Sequence, residues 1–324
     1  MNATENRPHL AELAARFESD RQHLRAVAFR LLGTLADADD AVQSAWLKAS
    51  SADGVGDVGN LTGWFTTITA HEAFDQLRAR KRRAERPVAD VDELDRLAPS
   101  ASAPADEDVL LAESVSSAVL VVLDRLSPAQ RVAFVLHDVF AVPFETIAEV
   151  LDRSPAAAKK LASRARSRLQ HEPSGDPGRT ARHLEIVEAF LAASRGGDIA
   201  TLLDLLAPGV VRRVDPMLVP AGVPDQLGGA RAVAEETRRF ARRAQAGVVV
   251  LIGGAPGIAI AARGRAQILL QIEIGADDRI HAIDITADPD RLRRAVLTLP
   301  FPAHARLIGY QGHGTRPAGA PASG

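Results

Sequence analysis

The 324-residue sequence contains no cysteine. That excludes disulfides, thiolate metal sites and cysteine nucleophiles together. Aromatic residues make up only 4% of the chain, so each of the two tryptophans asks for a reason. No apolar run reaches the roughly 20 residues needed to cross a bilayer. The opening stretch, MNATENRPHLAELAARFESD, has no apolar core of signal-peptide length. A cytoplasmic location without a membrane partner is therefore expected. Neither sign of charge dominates, because the formal net charge is −2. Spread evenly, such a charge would argue against a nucleic-acid partner. It is not spread evenly: basic residues gather in two short segments, and no acidic residue occurs between Ser154 and Gln170.

What is present is ordinary for a globular protein, 46% hydrophobic and 25% charged. At this length two or three domains are expected. The segment LSPAQRVAFVLHDVFAVPFETIAEVLDRSPAAAKKLASRARSRLQH, residues 126–171, is the most informative. Ser127 and Ser154 each precede a proline, which predicts two helix starts with a side-chain cap and a proline in the first turn. Phe144–Leu151 reads as a short helix with Ile147 and Leu151 one turn apart. Asp152 and Arg153 make a tight connection to a basic helix, Pro155–Gln170. Short helix, tight turn and basic helix form a helix-turn-helix. In the last helix Leu161, Ala165 and Leu169 mark a buried stripe, while Lys159, Lys160, Arg164, Arg166 and Arg168 fall largely off it. Such a face suits a phosphate-lined groove, and the small residues Ala156–Ala158 would admit the backbone to base edges. An ordinary solvated bundle helix could carry the same charges; the preceding helix and turn favour DNA.

Upstream, Leu10, Leu13, Phe17, Leu24, Val27 and Leu31 recur at helical spacing, and Gly33 marks a break. Asp37–Lys48, DADDAVQSAWLK, opens with acids, as a helix dipole prefers. Residues 53–60 hold three glycines and read as a loop. LTGWFTTITAHEAFDQLRARKRR, residues 61–83, joins Leu61, Trp64, Phe65 and Ile68 to a dense basic end at Arg78, Arg80, Lys81, Arg82 and Arg83. Cations favour a helix C-terminus, but this density exceeds what capping needs. Aromatic faces beside basic residues are the physics of single-strand capture. Residues 84–108, rich in Pro, Ala, Ser and acids, read as a flexible acidic linker. A tether makes the second of two weak DNA contacts effectively intramolecular.

Taken in this order, the segments resemble an extracytoplasmic-function (group IV) sigma factor, the promoter-specificity subunit of bacterial RNA polymerase. The resemblance covers about the first 170 residues. Asp37–Lys48 resembles the helix that docks on core polymerase, which implies Asp40, Val42, Gln43 and Trp46 as docking residues. Asn60–Arg83 resembles the segment that melts and reads the minus-ten element, with Asn60, Trp64, Phe65 and Thr66 reading bases and Arg78, Arg80, Lys81 and Arg82 contacting DNA. Residues 126–168 resemble the module that reads the minus-thirty-five element through Lys159, Lys160, Ser163, Arg164 and Arg166. The implied partners are core polymerase and promoter DNA, both duplex and melted single strand.

After the Pro/Gly linker at 172–180 the pattern changes class. Helices are predicted at Ala181–Ser194, Ile199–Leu206 and Ala230–Arg243. Strands are predicted at Val210–Val214, Val248–Ile252, Ile258–Ala262, Ala266–Ile274 and Ile280–Thr286, in an antiparallel meander. This α+β segment resembles the SnoaL-like cone that some such sigma factors carry. The expected organisation is thus multidomain: an all-α region 2 module at 8–86, a linker at 87–108, an all-α region 4 module at 109–171, a SnoaL-like domain at 181–298 and a disordered tail at 299–324. Asp215, Asp225, His281 and Asp284 are the polar candidates for a regulatory pocket holding a small molecule. No cofactor, metal site or catalytic residue is expected. Two other readings share these residues: a conventional helix-turn-helix regulator that senses a small molecule and binds duplex DNA without polymerase, and an enzyme that pairs His281 with Asp284 as acid and base.

Overall fold

The structure, a computed structural model, describes residues 6–52, 58–83, 117–169, 176–218, 224–262 and 264–300. The glycine-loop residues 53–57, the expected linker at 87–108, residues 172–175 of the second linker and the tail beyond 300 lie outside the described residues. No described helix is long and apolar enough to cross a membrane.

The first module is a bundle of α1 (Asn6–Leu32), α2 (Leu35–Ser50) and α3 (Leu61–Arg83), each packed on the other two. Gly33 breaks the chain at φ 88°. Thr34 then caps α2, its hydroxyl oxygen accepting from the Asp37 N–H at 3.2 Å. Leu24, Val27, Ala28 and Leu31 are fully buried, as their spacing predicts.

The second module comprises the helical stretch 117–123 (α4), α5 (Pro128–Phe134), a π-helical turn at Val135–Val139, α6 (Phe144–Leu151) and α7 (Pro155–Leu169). Ser127 caps α5, and the Gln130 side chain accepts from the Ser127 N–H in return, a complete capping box. Asp152, in the left-handed region at φ 51°, ends α6. Ser154 Oγ then accepts from the Ala157 N–H at 3.3 Å. Both Ser-Pro helix starts are present. The buried stripe of α7 differs from the expected one: Ala158, Ala162, Ala165 and Leu169 are buried, while Leu161 is only half-covered.

The α+β unit contains α8 (Pro177–Gly196), α9 (Ile199–Leu205), α10 (Ala230–Arg239), α11 (Ala241–Ala244) and α12 (Pro289–Arg294). Its strands are β1 (Leu206–Val214), β2 (Gln226–Gly228), β3 (Gly247–Ile252), β4 (Ala255–Ala262), β5 (Arg265–Ile274), β6 (Ile280–Thr286) and β7 (Leu297–Thr298). The sheet order is β2-β1-β6-β5-β4-β3-β7. The meander holds from β3 to β6, but β1 lies parallel to β6. The helices between β1 and β3 give the chain room for that crossover. The first helix also starts earlier than 181, because Asp176 and Pro177 supply a cap and a first-turn proline.

The sheet is covered on both faces. On one, Ile258, Ile260, Ile268, Ile272 and Ile283 share a core with Val187, Phe190 and Leu191 of α8. On the other, Val248, Val250, Ile252, Ala259 and Leu269 join the core that runs through both helical modules. This explains the weak alternation in β5: Leu269 points away from its isoleucine neighbours, yet it is 2% exposed because the helical modules cover it.

Candidate nucleic-acid interface and the C-terminal pocket

Lys159, Lys160, Ser163 and Arg164 are exposed together on α7, since burial of the alanine stripe turns them outward. Arg166 is half-buried and ion-pairs with Asp138 at 2.9 Å, so it ties α7 to the π-turn. Burial raises the Asp138 carboxyl above its ordinary value, against the Arg166 and His137 charges, which lower it. Ala158 is fully buried, so the expected approach of small residues to bases rests on Ala156 and Ala157 alone.

In α3 the expected DNA-facing residues divide. Asn60 caps the helix, its Oδ1 accepting from the Gly63 N–H at 2.9 Å. Trp64 is half-buried against Phe65, with ring centroids 5.5 Å apart. Phe65 itself is fully buried and meets Phe17 edge-on at 4.9 Å, so it is core rather than a base-capturing face. Thr66 is buried too, and its hydroxyl donates to the Thr62 carbonyl at 2.7 Å. Arg80 donates to the Leu32 carbonyl at 2.8 Å and pairs with Asp37, which makes it a brace within the bundle. Arg78, Lys81 and Arg82 are exposed. They line a groove with Phe74 whose far wall is Ser127, Pro128 and Ala129 of the second module.

The expected docking helix also divides. Val42 is 2% exposed and belongs to the core, while Trp46 is half-buried against Phe17 at 5.2 Å. Asp40 and Gln43 are exposed. Leu47, one turn beyond Gln43, is 61% exposed. Its type pointed to core, so composition could not reveal it; its offset from the Val42–Trp46 stripe could have.

The two modules pack on each other, α5 and α6 against α3. Arg131 is buried at this joint and donates from Nε and Nη2 to the Arg30 carbonyl of α1, at 3.2 and 3.0 Å. Burial lowers the guanidinium pKa to about 10. The Phe140 ring meets His23 edge-on at 5.5 Å and lies beneath the Arg30 guanidinium at 5.4 Å. The α+β unit closes on the same assembly: Arg125 donates to the Leu292 carbonyl at 2.7 Å, and Arg265 pairs with Asp124 at 3.6 Å.

The expected pocket exists, with a different lining. A cavity of about 120 Å³ lies between the sheet and α8, α10 and α11. Its walls are mainly Phe190, Ile258, Ile260, Ile268, Leu270 and Ile283. Arg212, 3% exposed, is its most buried charge and is held by both carboxylate oxygens of Glu236. None of the four expected residues lines it. Asp215 Oδ2 accepts from Thr286 Oγ1 and from the N–H groups of Ala287 and Asp288. Burial alone would raise its pKa, but these hydrogen bonds hold it below the ordinary value. Asp225 offers its backbone carbonyl to Arg212, its side chain being exposed. His281 pairs with Asp277 at 2.9 Å and Asp284 with Arg213 at 3.2 Å, so the proposed acid–base pair does not form. Strand alternation misled the expectation: polar residues of β6 point outward, and the pocket takes the apolar set.

Comparison with known proteins identifies the two helical modules. The family Sigma-70 region 2 matches residues 6–83, and Sigma-70, region 4 matches residues 116–169. ECF RNA polymerase sigma factor SigJ of Mycobacterium tuberculosis is 46% identical over 203 residues, which cover 60% of this chain and 62% of SigJ. Probable ECF RNA polymerase sigma factor SigI of the same organism is 31% identical over 283 residues, covering 87% of this chain and 96% of SigI. The crystal structure of SigJ aligns over 86% of this chain and 97% of its own, with 32% identity and a TM-score of 0.39. A SnoaL-like protein of unknown function from Burkholderia thailandensis aligns over 33% of this chain and 93% of its own, with 21% identity and a TM-score of 0.27. With two sigma regions in sequence order, and kinship along nearly the whole of a SigI relative, the chain belongs to the extracytoplasmic-function RNA polymerase sigma factors.

Proposed function

We propose that the chain directs core RNA polymerase to promoters by exchanging a closed arrangement for an open one, and that its SnoaL-like domain braces the closed form. Lys159, Lys160, Ser163 and Arg164 contact the minus-thirty-five duplex. Asn60, Trp64, Arg78, Lys81 and Arg82 serve the minus-ten element. Asp40, Gln43 and Leu47 form the docking face for core polymerase. Phosphate contacts position the protein and base contacts select the promoter. The work is done in the cytoplasm, by binding and without bond-making chemistry of the chain's own. A small molecule in the C-terminal cavity biases the two arrangements to the extent that it binds one of them more tightly.

The observation that carries this reading is the packing of α5 and α6 against α3, with Arg131 of α5 donating to the Arg30 carbonyl of α1. The two promoter elements lie about 25 base pairs apart by name, roughly 85 Å along B-form DNA at ~3.4 Å per pair. Modules in direct contact do not span that distance. The sheet face covering both modules supports a bracing role for the third domain.

The test is run-off transcription with bacterial core polymerase on genomic promoter fragments, comparing the full chain with one ending at His171. A discrete start site that depends on either chain is expected, with more product from the shorter one. If neither starts transcription while the full chain footprints duplex DNA unaided, the conventional regulator replaces this reading.

A further inference from the structure

The cavity's chemistry narrows the ligand. Its volume, about 120 Å³, is slightly below the ~150 Å³ of an engineered apolar cavity that admits benzene. The enclosed part therefore holds about one six-membered ring, and the open rim at Phe240 leaves room for small substituents on it. The hydroxyls of Ser194 and Thr237 already donate to the Phe190 and Val233 carbonyls, so they offer lone pairs and no protons to a guest. Arg212 differs. Of the five N–H groups of a guanidinium, three go to Glu236 and the Asp225 carbonyl. The other two belong to its terminal nitrogens, and Arg212 is one of the residues lining the cavity. A ligand acceptor there gains a charge-assisted hydrogen bond in a low-dielectric setting.

The mouth agrees in sign. Phe240, 43% exposed, lies at the rim with the Arg243 guanidinium 5.0 Å from its ring centroid. Along the chain, Arg238, Arg239 and Arg242 flank Phe240, against Glu235 and a Glu236 already paired with Arg212. Such a surplus draws an anion towards the opening.

We propose that the cavity binds a single-ring apolar monocarboxylate, its ring among the isoleucines and its carboxylate at Arg212. Resting on the sigma-factor reading above, its occupancy reaches the promoter-reading modules through the sheet. On β4, Ile258 and Ile260 face the cavity while Ala259 between them faces the helical modules. On β5, Ile268 and Leu270 face the cavity and Leu269 faces the modules. Each strand therefore touches both compartments through adjacent residues.

The test uses the full chain and two probes, 4-fluorobenzoate and fluorobenzene, titrated by fluorine NMR. Saturable binding of 4-fluorobenzoate is expected, about tenfold tighter than fluorobenzene, with about a tenfold loss in Arg212→Gln. Because Arg212→Gln disturbs a buried pair, Thr237→Phe serves as the second variant; it fills the cavity from the helix side and should weaken both probes. Equal affinity for the two probes, undiminished binding in Thr237→Phe, or no saturation by about 10 mM overturns the site. Run-off transcription with and without benzoate tests the coupling separately. Intact binding with unchanged transcript overturns the coupling alone, whereas absence of any sigma-dependent transcript counts against the sigma reading and leaves the binding result standing.

Discussion

At the scale of single residues, buried charges set what can be changed. Arg212→Met would leave the Glu236 carboxylate without its partner at a nearly closed wall, at a cost of about 3 kcal/mol. The double replacement Arg212→Met with Glu236→Leu should recover much of this, because two apolar groups of similar volume need no hydrogen bonds. Urea denaturation of the single and double variants measures the difference. His23 offers a pH handle on the joint between modules. It lies beside Thr66 and the Phe140 ring, and burial lowers its pKa below 6.5 against the opposing charge of Asp20. The unfolded chain therefore takes up this proton at a higher pH than the folded one, and stability falls as pH drops through the window below 6.5. Melting temperature between pH 7.5 and 5.5 should decline less for His23→Gln than for the parent. Residue types were also where the sequence misled. Phe65 and Val42 carry family positions associated with contact, yet the period that places them on those helices turns them into the core. Only the tertiary surroundings separate a half-exposed Trp64 from a buried Phe65 one position later.

At the scale of elements, periodicity told more. Both Ser-Pro helix starts, the helix Phe144–Leu151 and all five expected strands are present, since caps and alternation are local chemistry. The parallel pairing of β1 with β6 and the two-residue strand β7 depend on distant partners, which no local pattern announces. The exposed face of α2 yields a separable pair of variants. Leu47→Asp should leave the melting temperature nearly unchanged and weaken binding to core polymerase, measured by co-migration on a sizing column. Val42→Ala should destabilise the bundle by about 2 kcal/mol, from the lost buried methyl groups and the cavity left behind. On α7, replacing Lys159, Lys160 and Arg164 with alanine should weaken holoenzyme binding to all promoter sequences alike and flatten its salt dependence. Each phosphate that is no longer neutralised reduces the slope of log affinity against log salt by about one.

At the scale of the whole molecule, three units share one apolar core that crosses their boundaries. The core of both helical modules includes Val248, Val250 and Leu269 from the sheet. Removal of the α+β unit therefore uncovers apolar surface, and the chain ending at His171 should exchange amide protons faster in α4 to α6 than the full chain does, read by hydrogen–deuterium exchange. The linker composition at 84–108 allowed for relative movement of the modules, but their packing in a closed form depends on tertiary shape that a tether does not encode. Arg131, a buried arginine among buried apolar residues, anchors that joint, and its partner is a backbone carbonyl 101 residues away.

On the proposed closed–open reading, a sheet that braces the helical modules has a consequence for how a cell would count this protein. An inhibitor made as a separate polypeptide acts as a titrant: output stays low until its supply is exhausted, then rises abruptly. Here the brace arrives with each sigma module it covers, in fixed one-to-one stoichiometry, so no excess of either can accumulate. Raising the number of chains raises the restrained and released populations in the same proportion. The closed–open balance then behaves as an intensive property of the chain, and promoter output should scale linearly with chain number, without a threshold, while core polymerase is in excess.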